Sequence, residues 1–170
     1  MRNSIFFSIL LLIMKMTSCI SLSEKSIPFT PSLVQYQFSE VDSLMLEEER
    51  PIAVFLHATW CKYCRNMEQT TFQNKEVIQV LNEKYYFISF DGEQKESVLF
   101  RNRWFKYIPN GRNTGTHELA IALATIDRSL VYPSFVVLNS DYEIIFQYGA
   151  FLESVAMKKI LEEGKGKIRK

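Results

Sequence analysis

The apolar positions of this chain recur with two periods, and those periods assign elements before any chemistry is considered. Residues 52–58 form an almost unbroken apolar run, Ile-Ala-Val-Phe-Leu-His-Ala, between Pro51 and a polar loop. A run of that length suits a central strand buried on both faces. Residues 85–91 repeat the pattern further along. Between the two runs, residues 61–72 predict a helix leaving the first strand. Residues 74–85 predict another, with Val77, Ile78 and Leu81 as its apolar stripe and Asn74 as its cap. Strand, helix and strand in that order indicate a parallel βαβ unit. Towards the C-terminus, residues 133–139 and 143–149 read as two strands a short turn apart, an antiparallel hairpin, followed by an amphipathic helix over residues 151–163.

The remaining stretches are less regular. Residues 33–38 alternate well enough for an edge strand, and the acid-rich residues 40–50 predict a short surface helix stopped by Pro51. Residues 93–108 predict a helix with a mixed face, residues 109–115 a turn cluster, and residues 116–125 a compact Ala/Leu helix starting at Thr114 or Thr116. The segment from about 92 to 130 is thus a helical insertion on the core. The fold class is α/β, a mixed central sheet with helices on both faces, in one domain over residues 33–170. With 170 residues, 47% of them hydrophobic, the chain can bury such a core.

Charge and the N-terminus narrow the class of protein. Twenty Lys and Arg against nineteen Asp and Glu leave a formal charge of +1, without the basic footprint a nucleic-acid binder needs. Met-Arg-Asn, the apolar residues 4–14 and small residues before Cys19 predict an export signal over residues 1–19, its apolar part short for a membrane span. The stretch Met-Thr-Ser-Cys resembles the lipobox of bacterial lipoproteins, which makes Cys19 a candidate lipidation site. Residues 20–32, polar with Pro28 and Pro31, then serve as a tether. The competing reading is an ordinary signal in which Cys19 is removed or spare. Under either, Cys61 and Cys64 are the thiols left to the folded part.

Those two cysteines sit three positions apart between a strand and a helix. A thiolate is the reactive species, and its pKa falls from about 8.5 toward about 3.5–7.5 at a helix N-terminus in a C-x-x-C arrangement. Unpaired N–H groups and the dipole favour the anion there, and Lys62 and Arg65 add positive charge. Cys61 is expected to be the exposed nucleophile, with Cys64 one turn on, screened and within reach. Zinc is a weaker reading, because it needs two more ligands and the only histidines, His57 and His117, lack finger spacing. An inert structural disulfide is a third reading; so local a bridge constrains the unfolded chain little.

Thr-Trp-Cys-Lys-Tyr-Cys after a buried strand, Phe-Asp-Gly-Glu closing the next and Tyr-Pro-Ser-Phe-Val-Val-Leu-Asn before the hairpin together resemble the thioredoxin superfamily. Residues 60–91 are similar to extracytoplasmic members related to the C-terminal domain of the transmembrane reductase DsbD, and the insertion resembles exported Bacteroidetes proteins. The resemblance implies a thioredoxin fold and thiol-disulfide exchange by Cys61 and Cys64 in the cell envelope, on the periplasmic side of a bacterial membrane. It implies a cis Pro133 beside the cysteines, with Trp60 and Tyr132 facing substrate. It implies no dissociable cofactor and no metal. Partners would be proteins with disulfides or thiols and an envelope redox partner, with membrane contact through the anchor. Where thioredoxin carries a buried Asp and Lys, this chain has Phe55 and Phe87, so Cys64 lacks the usual base. His57 is a candidate for a proton role, weighed against a side chain satisfied within the core. Phe100, Trp104, Phe105 and Tyr107 form either a satellite core or a binding patch, and His117 and Glu118 read as structural. The non-catalytic alternative is a thioredoxin-like binding or folding module.

Overall fold

The computed structural model describes residues 31–163. The predicted leader with Cys19, most of the tether and the last seven residues lie outside the described residues. In chain order the elements are α1 (Phe38–Glu47), β1 (Ile52–His57), α2 (Lys62–Gln69), a 3-10 turn (Thr71–Gln73), α3 (Lys75–Lys84) and β2 (Tyr86–Asp91). The inserted segment carries β3 (Val98–Phe100), β4 (Arg103–Phe105), β5 (Tyr107–Pro109), β6 (Gly115–His117), α4 (Glu118–Ala124), β7 (Thr125–Ile126) and β8 (Ser129–Leu130). The chain closes with β9 (Ser134–Leu138), β10 (Ile144–Tyr148) and α5 (Ser154–Glu163).

The main sheet has the order β10-β9-β1-β2. β1 runs parallel to β2, from Ile52 opposite Tyr86 to His57 opposite Asp91. It runs antiparallel to β9, with Leu56 opposite Ser134. The C-terminal end of β1, the end of β2 and the start of β9 therefore meet at one edge of the sheet, where the cysteine loop also begins.

Alternation along β1 divides the core into two layers. Ala53 and Phe55 face one side, packing with Phe72, Val77 and Leu81 of the α2–α3 region and Met157 and Leu161 of α5. Ile52, Val54 and Leu56 face the other, packing with Phe38 and Val41 of α1, Phe100 of the insertion, and Leu119 and Leu123 of α4. This strand, buried along almost its whole length as the sequence predicts, contributes about 1.5–3 kcal/mol for each large apolar side chain it takes from water.

The differences from expectation have local causes. Residues 33–37 form no strand; one backbone bond, from Tyr36 N–H to the Phe87 carbonyl at 2.8 Å, ties them to the sheet edge. The helix predicted from residues 61–72 stops at Gln69, and Thr71 instead donates its hydroxyl to the Leu152 carbonyl at 2.6 Å. The predicted helix over residues 93–108 is absent. Its place is taken by the β3–β4 hairpin and by β5, which pairs with β6. The hairpin buries Phe100 and half-buries Val98 and Phe105, while Leu99 and Trp104 are a cross-strand pair on its outer face. Its turn residues Arg101 and Asn102 both have positive φ, 52° and 57°. The Asp42 carboxylate, which accepts from Arg101 N–H at 2.7 Å, and the Tyr142 ring, 4.5 Å below the guanidinium, hold Arg101 there. The Ala/Leu helix begins at Glu118, later than predicted. His117 caps it, accepting from Leu119 N–H through Nδ1 at 3.2 Å. The insertion is thus three small hairpins and one helix.

Candidate active site

After His57 the chain leaves the sheet and turns, with Cys61 N–H donating to the Ala58 carbonyl at 3.0 Å. Cys61 is the N-cap of α2, with extended backbone angles. Its sulfur accepts the Cys64 N–H at 3.1 Å, so Sγ takes the place a Ser or Asp oxygen fills at an ordinary cap. The first turn of α2 has no acidic side chain, and Lys62 and Arg65 are exposed beside it. The two sulfurs are joined in a disulfide, with Cα atoms 5.3 Å apart. Cys64 is buried as predicted. Cys61 is only 4% exposed, against the expectation of an open nucleophile, because both cysteines pack into the core layer of Phe55 and Phe72.

Around the pair, the Tyr132–Pro133 peptide is cis and immediately precedes β9. Trp60 is 62% exposed, its indole edge against the Tyr132 ring at a centroid distance of 6.1 Å. Tyr132 does not simply face outward: it packs against both core layers, and its buried hydroxyl has no hydrogen-bond partner among the described residues. Burial, and after it the charges of Glu93 and Asp91, push that phenol well above its ordinary range. The hydroxyl lies over Gly92, where a side chain would collide with it. His57 stands at the end of β1, half-buried, its ring stacked on Phe55 at 5.4 Å and 25°.

The positions expected of a buried acid and base are wholly aromatic. Phe72 bridges Phe55 and Phe87 with centroid distances of 4.8 and 5.1 Å. Of the aromatics in the insertion, Phe100 and Phe105 belong to the core side, with Phe100 4.9 Å from Phe38, whereas Trp104 is 59% exposed. Among the described residues no three His, Cys, Asp or Glu side chains gather as metal ligands.

One residue beside the cysteines escaped the sequence reading. Glu93 Oε1 accepts the Trp60 indole N–H at 2.9 Å. The Asp-Gly-Glu turn was visible as a strand terminator, but nothing in its spacing says that the third residue folds back to the tryptophan 33 positions earlier.

Residues 36–140 match the thioredoxin-like family. The mouse spermatogenesis-associated protein 20 is 29% identical over 86 residues, which are 45% of this chain and 10% of that protein. Among solved structures, the DsbH oxidoreductase superposes with a TM-score of 0.56 at 15% identity, covering 82% of this chain and 90% of the other. A thioredoxin from Thermus thermophilus gives 0.56 at 20% identity, covering 78% and 87%. At these identities the structures speak for the fold alone, whereas the family match spans more than half of the chain. With its C-x-x-C pair capping α2 and its helix-flanked mixed sheet, this chain belongs to the thioredoxin-like family.

Proposed function

We propose that this protein is a thiol-disulfide oxidoreductase acting on protein disulfides in the cell envelope, working in the reducing direction. The observation that carries the reading is the Cys61 sulfur at the mouth of α2, bonded to Cys64 and accepting its N–H. In the reduced protein the same donor and the helix terminus favour a Cys61 thiolate. That thiolate attacks one sulfur of a substrate disulfide; the S–S bond breaks, one substrate sulfur leaves as a thiolate and takes up a proton, and a mixed disulfide forms. Cys64, deprotonated, attacks Cys61 Sγ, releases the second substrate thiol and closes the Cys61–Cys64 bridge. Two electrons pass to the substrate, and an envelope dithiol partner restores the reduced pair. Trp60, Tyr132 and Pro133 shape the groove for the substrate chain. His57, on the same sheet face as Phe55, is the candidate proton carrier for Cys64. The predicted leader and lipidation of Cys19 would hold the domain on the periplasmic side of a bacterial membrane.

In an insulin-reduction assay, Cys61→Ser should abolish turnover and Cys64→Ser should accumulate the mixed disulfide. Glutathione equilibration gives the direction, and His57→Ala kinetics test the proton role. A reduced protein whose Cys61 resists iodoacetamide, or a Cys61→Ser, Cys64→Ser variant that keeps full function in cells, refutes the reading in favour of a non-catalytic binding module.

A further inference from the structure

We propose that Glu93, supplied by the insertion, is a positioning residue of this site: its carboxylate fixes the Trp60 indole against Tyr132 and so sets the groove wall next to Cys61. The inference rests on the exchange reading above and deepens it. Trp60 is the residue before the nucleophile, and its ring is largely solvent-exposed. A large exposed side chain at a loop tip ordinarily samples several rotamers. Here two contacts define it, the 2.9 Å bond from Nε1 to Glu93 and the edge contact with Tyr132. A hydrogen bond to a carboxylate is stronger than one between neutral groups, so Glu93 is the dominant restraint.

The backbone below Glu93 is built to hold it. Glu93 N–H donates to Asp91 Oδ1 at 3.0 Å, and Gln94 N–H to the Asp91 carbonyl at 3.2 Å. Gly92 is bonded on both sides, donating to the His57 carbonyl and accepting from His117 N–H, each at 2.8 Å. The His57 end of β1, the entry of the insertion and the start of α4 are thereby locked together under one carboxylate. Neither Asp91 nor Glu93 forms an ion pair among the described residues, so Glu93 is not held elsewhere. A substrate chain that reaches Cys61 past Trp60 meets a wall whose position the insertion determines.

The test uses the full chain carrying Trp104→Phe, which leaves Trp60 as the sole tryptophan. Glu93→Ala should raise KM for insulin about five-fold with kcat within about two-fold, the loss expected when a binding surface loosens without touching the reacting atoms. Glu93→Gln keeps an acceptor oxygen and should restore most of that loss. In parallel, the Trp60 indole N–H resonance should move in Glu93→Ala and return toward its place in Glu93→Gln. Alkylation of reduced Cys61 by iodoacetamide, too small to use the groove, should stay within about two-fold throughout. An active parent with Glu93→Ala unchanged in KM and indole resonance overturns this inference alone, as does Glu93→Gln no better than Glu93→Ala. A parent inert toward insulin overturns both this inference and the exchange reading.

Discussion

Gly92→Ala is the sharpest perturbation of the junction between the insertion and the cysteine site. Gly92 is buried, and its backbone does not lie in the left-handed region, so alanine is conformationally acceptable and the whole effect is one of packing. The new Cβ would stand 2.9 Å from Ala120 Cβ and 2.5 Å from Tyr132 Cζ, and closer still to the Tyr132 hydroxyl. Ala120 is fully buried in α4 and cannot retreat, so the tyrosine ring must move. Overpacking of this kind costs about 1–3 kcal/mol. Motion of the ring also loosens its edge contact with Trp60. The hydroxyl is the nearest obstacle and has no partner among the described residues, so Tyr132→Phe alone should be neutral or stabilise by up to about 1 kcal/mol. The double variant Gly92→Ala, Tyr132→Phe should then recover a coupling energy of about 1 kcal/mol. Urea unfolding of the oxidised protein at neutral pH measures all four corners of the cycle. Unfolding of Gly92→Ala at the parental midpoint, with no coupling in the double variant, would show that Tyr132 does not occupy the space above Gly92.

Three further outcomes are expected. Phe72→Ala removes the ring bridging Phe55 and Phe87 at a site 4% exposed and should cost about 3–5 kcal/mol in urea unfolding, with a loss below about 1 kcal/mol refuting the aromatic bridge. Asn74 accepts from Glu76 and Val77 N–H at 3.0 and 3.2 Å, so Asn74→Ala should cost about 1 kcal/mol with no change in insulin reduction. Burial pushes the His117 imidazole below its ordinary range, so its neutral form stabilises the fold; that contribution is complete above the unfolded-state value near 6.5 and is lost as pH falls through the lower folded value. The unfolding midpoint of the parent should therefore fall more than that of His117→Asn between about pH 7 and pH 5, and parallel curves would refute the assignment.

The core of the fold was legible because its signals are redundant. The strand at residues 52–57 is apolar without interruption, Asn74 announces α3, and the C-terminal hairpin and helix have clean periods, so burial and local propensity agree. The insertion defeated the reading for a specific reason. Two of its three hairpins turn through Arg101–Asn102 and Asp127–Arg128, pairs with positive φ and no glycine, stabilised at Arg101 by partners 59 and 41 residues away. Residues 98–105 show alternation for too few positions to compete with a helical reading. The strand expected at residues 33–38 failed differently. The alternation is present, but polar bonds such as Val34 N–H to Asn82 Oδ1 at 2.9 Å draw the segment onto α3. At the site, the pairing of Cys61 with Cys64 followed from type and spacing. Glu93 and the inward turn of Tyr132 depend on tertiary placement, which no short motif encodes.

The aromatic triad and the insertion together change where this site gets its electrostatics. Cys64 shares its core layer with Phe55, Phe72 and Phe87, and an apolar surrounding disfavours the thiolate that the proposed resolving step requires. Among the described residues no buried carboxylate offsets this, so the driving force for the proposed exchange must come from groups at the surface and from the terminus of α2 itself. Those groups are arranged unevenly: Lys62 and Arg65 lie on the helix side, and Asp91 and Glu93 lie on the side of Trp60 and Tyr132. Charges placed at a surface are screened by salt, whereas a buried base is not. The exchange rate of this protein should therefore fall or rise with ionic strength more steeply than that of a homologue with a buried acid beneath its second cysteine. A resolving step insensitive to salt from about 0.01 to 1 M would instead point to a group shielded from solvent, and half-buried His57, stacked on Phe55, is the titratable side chain on that face of β1.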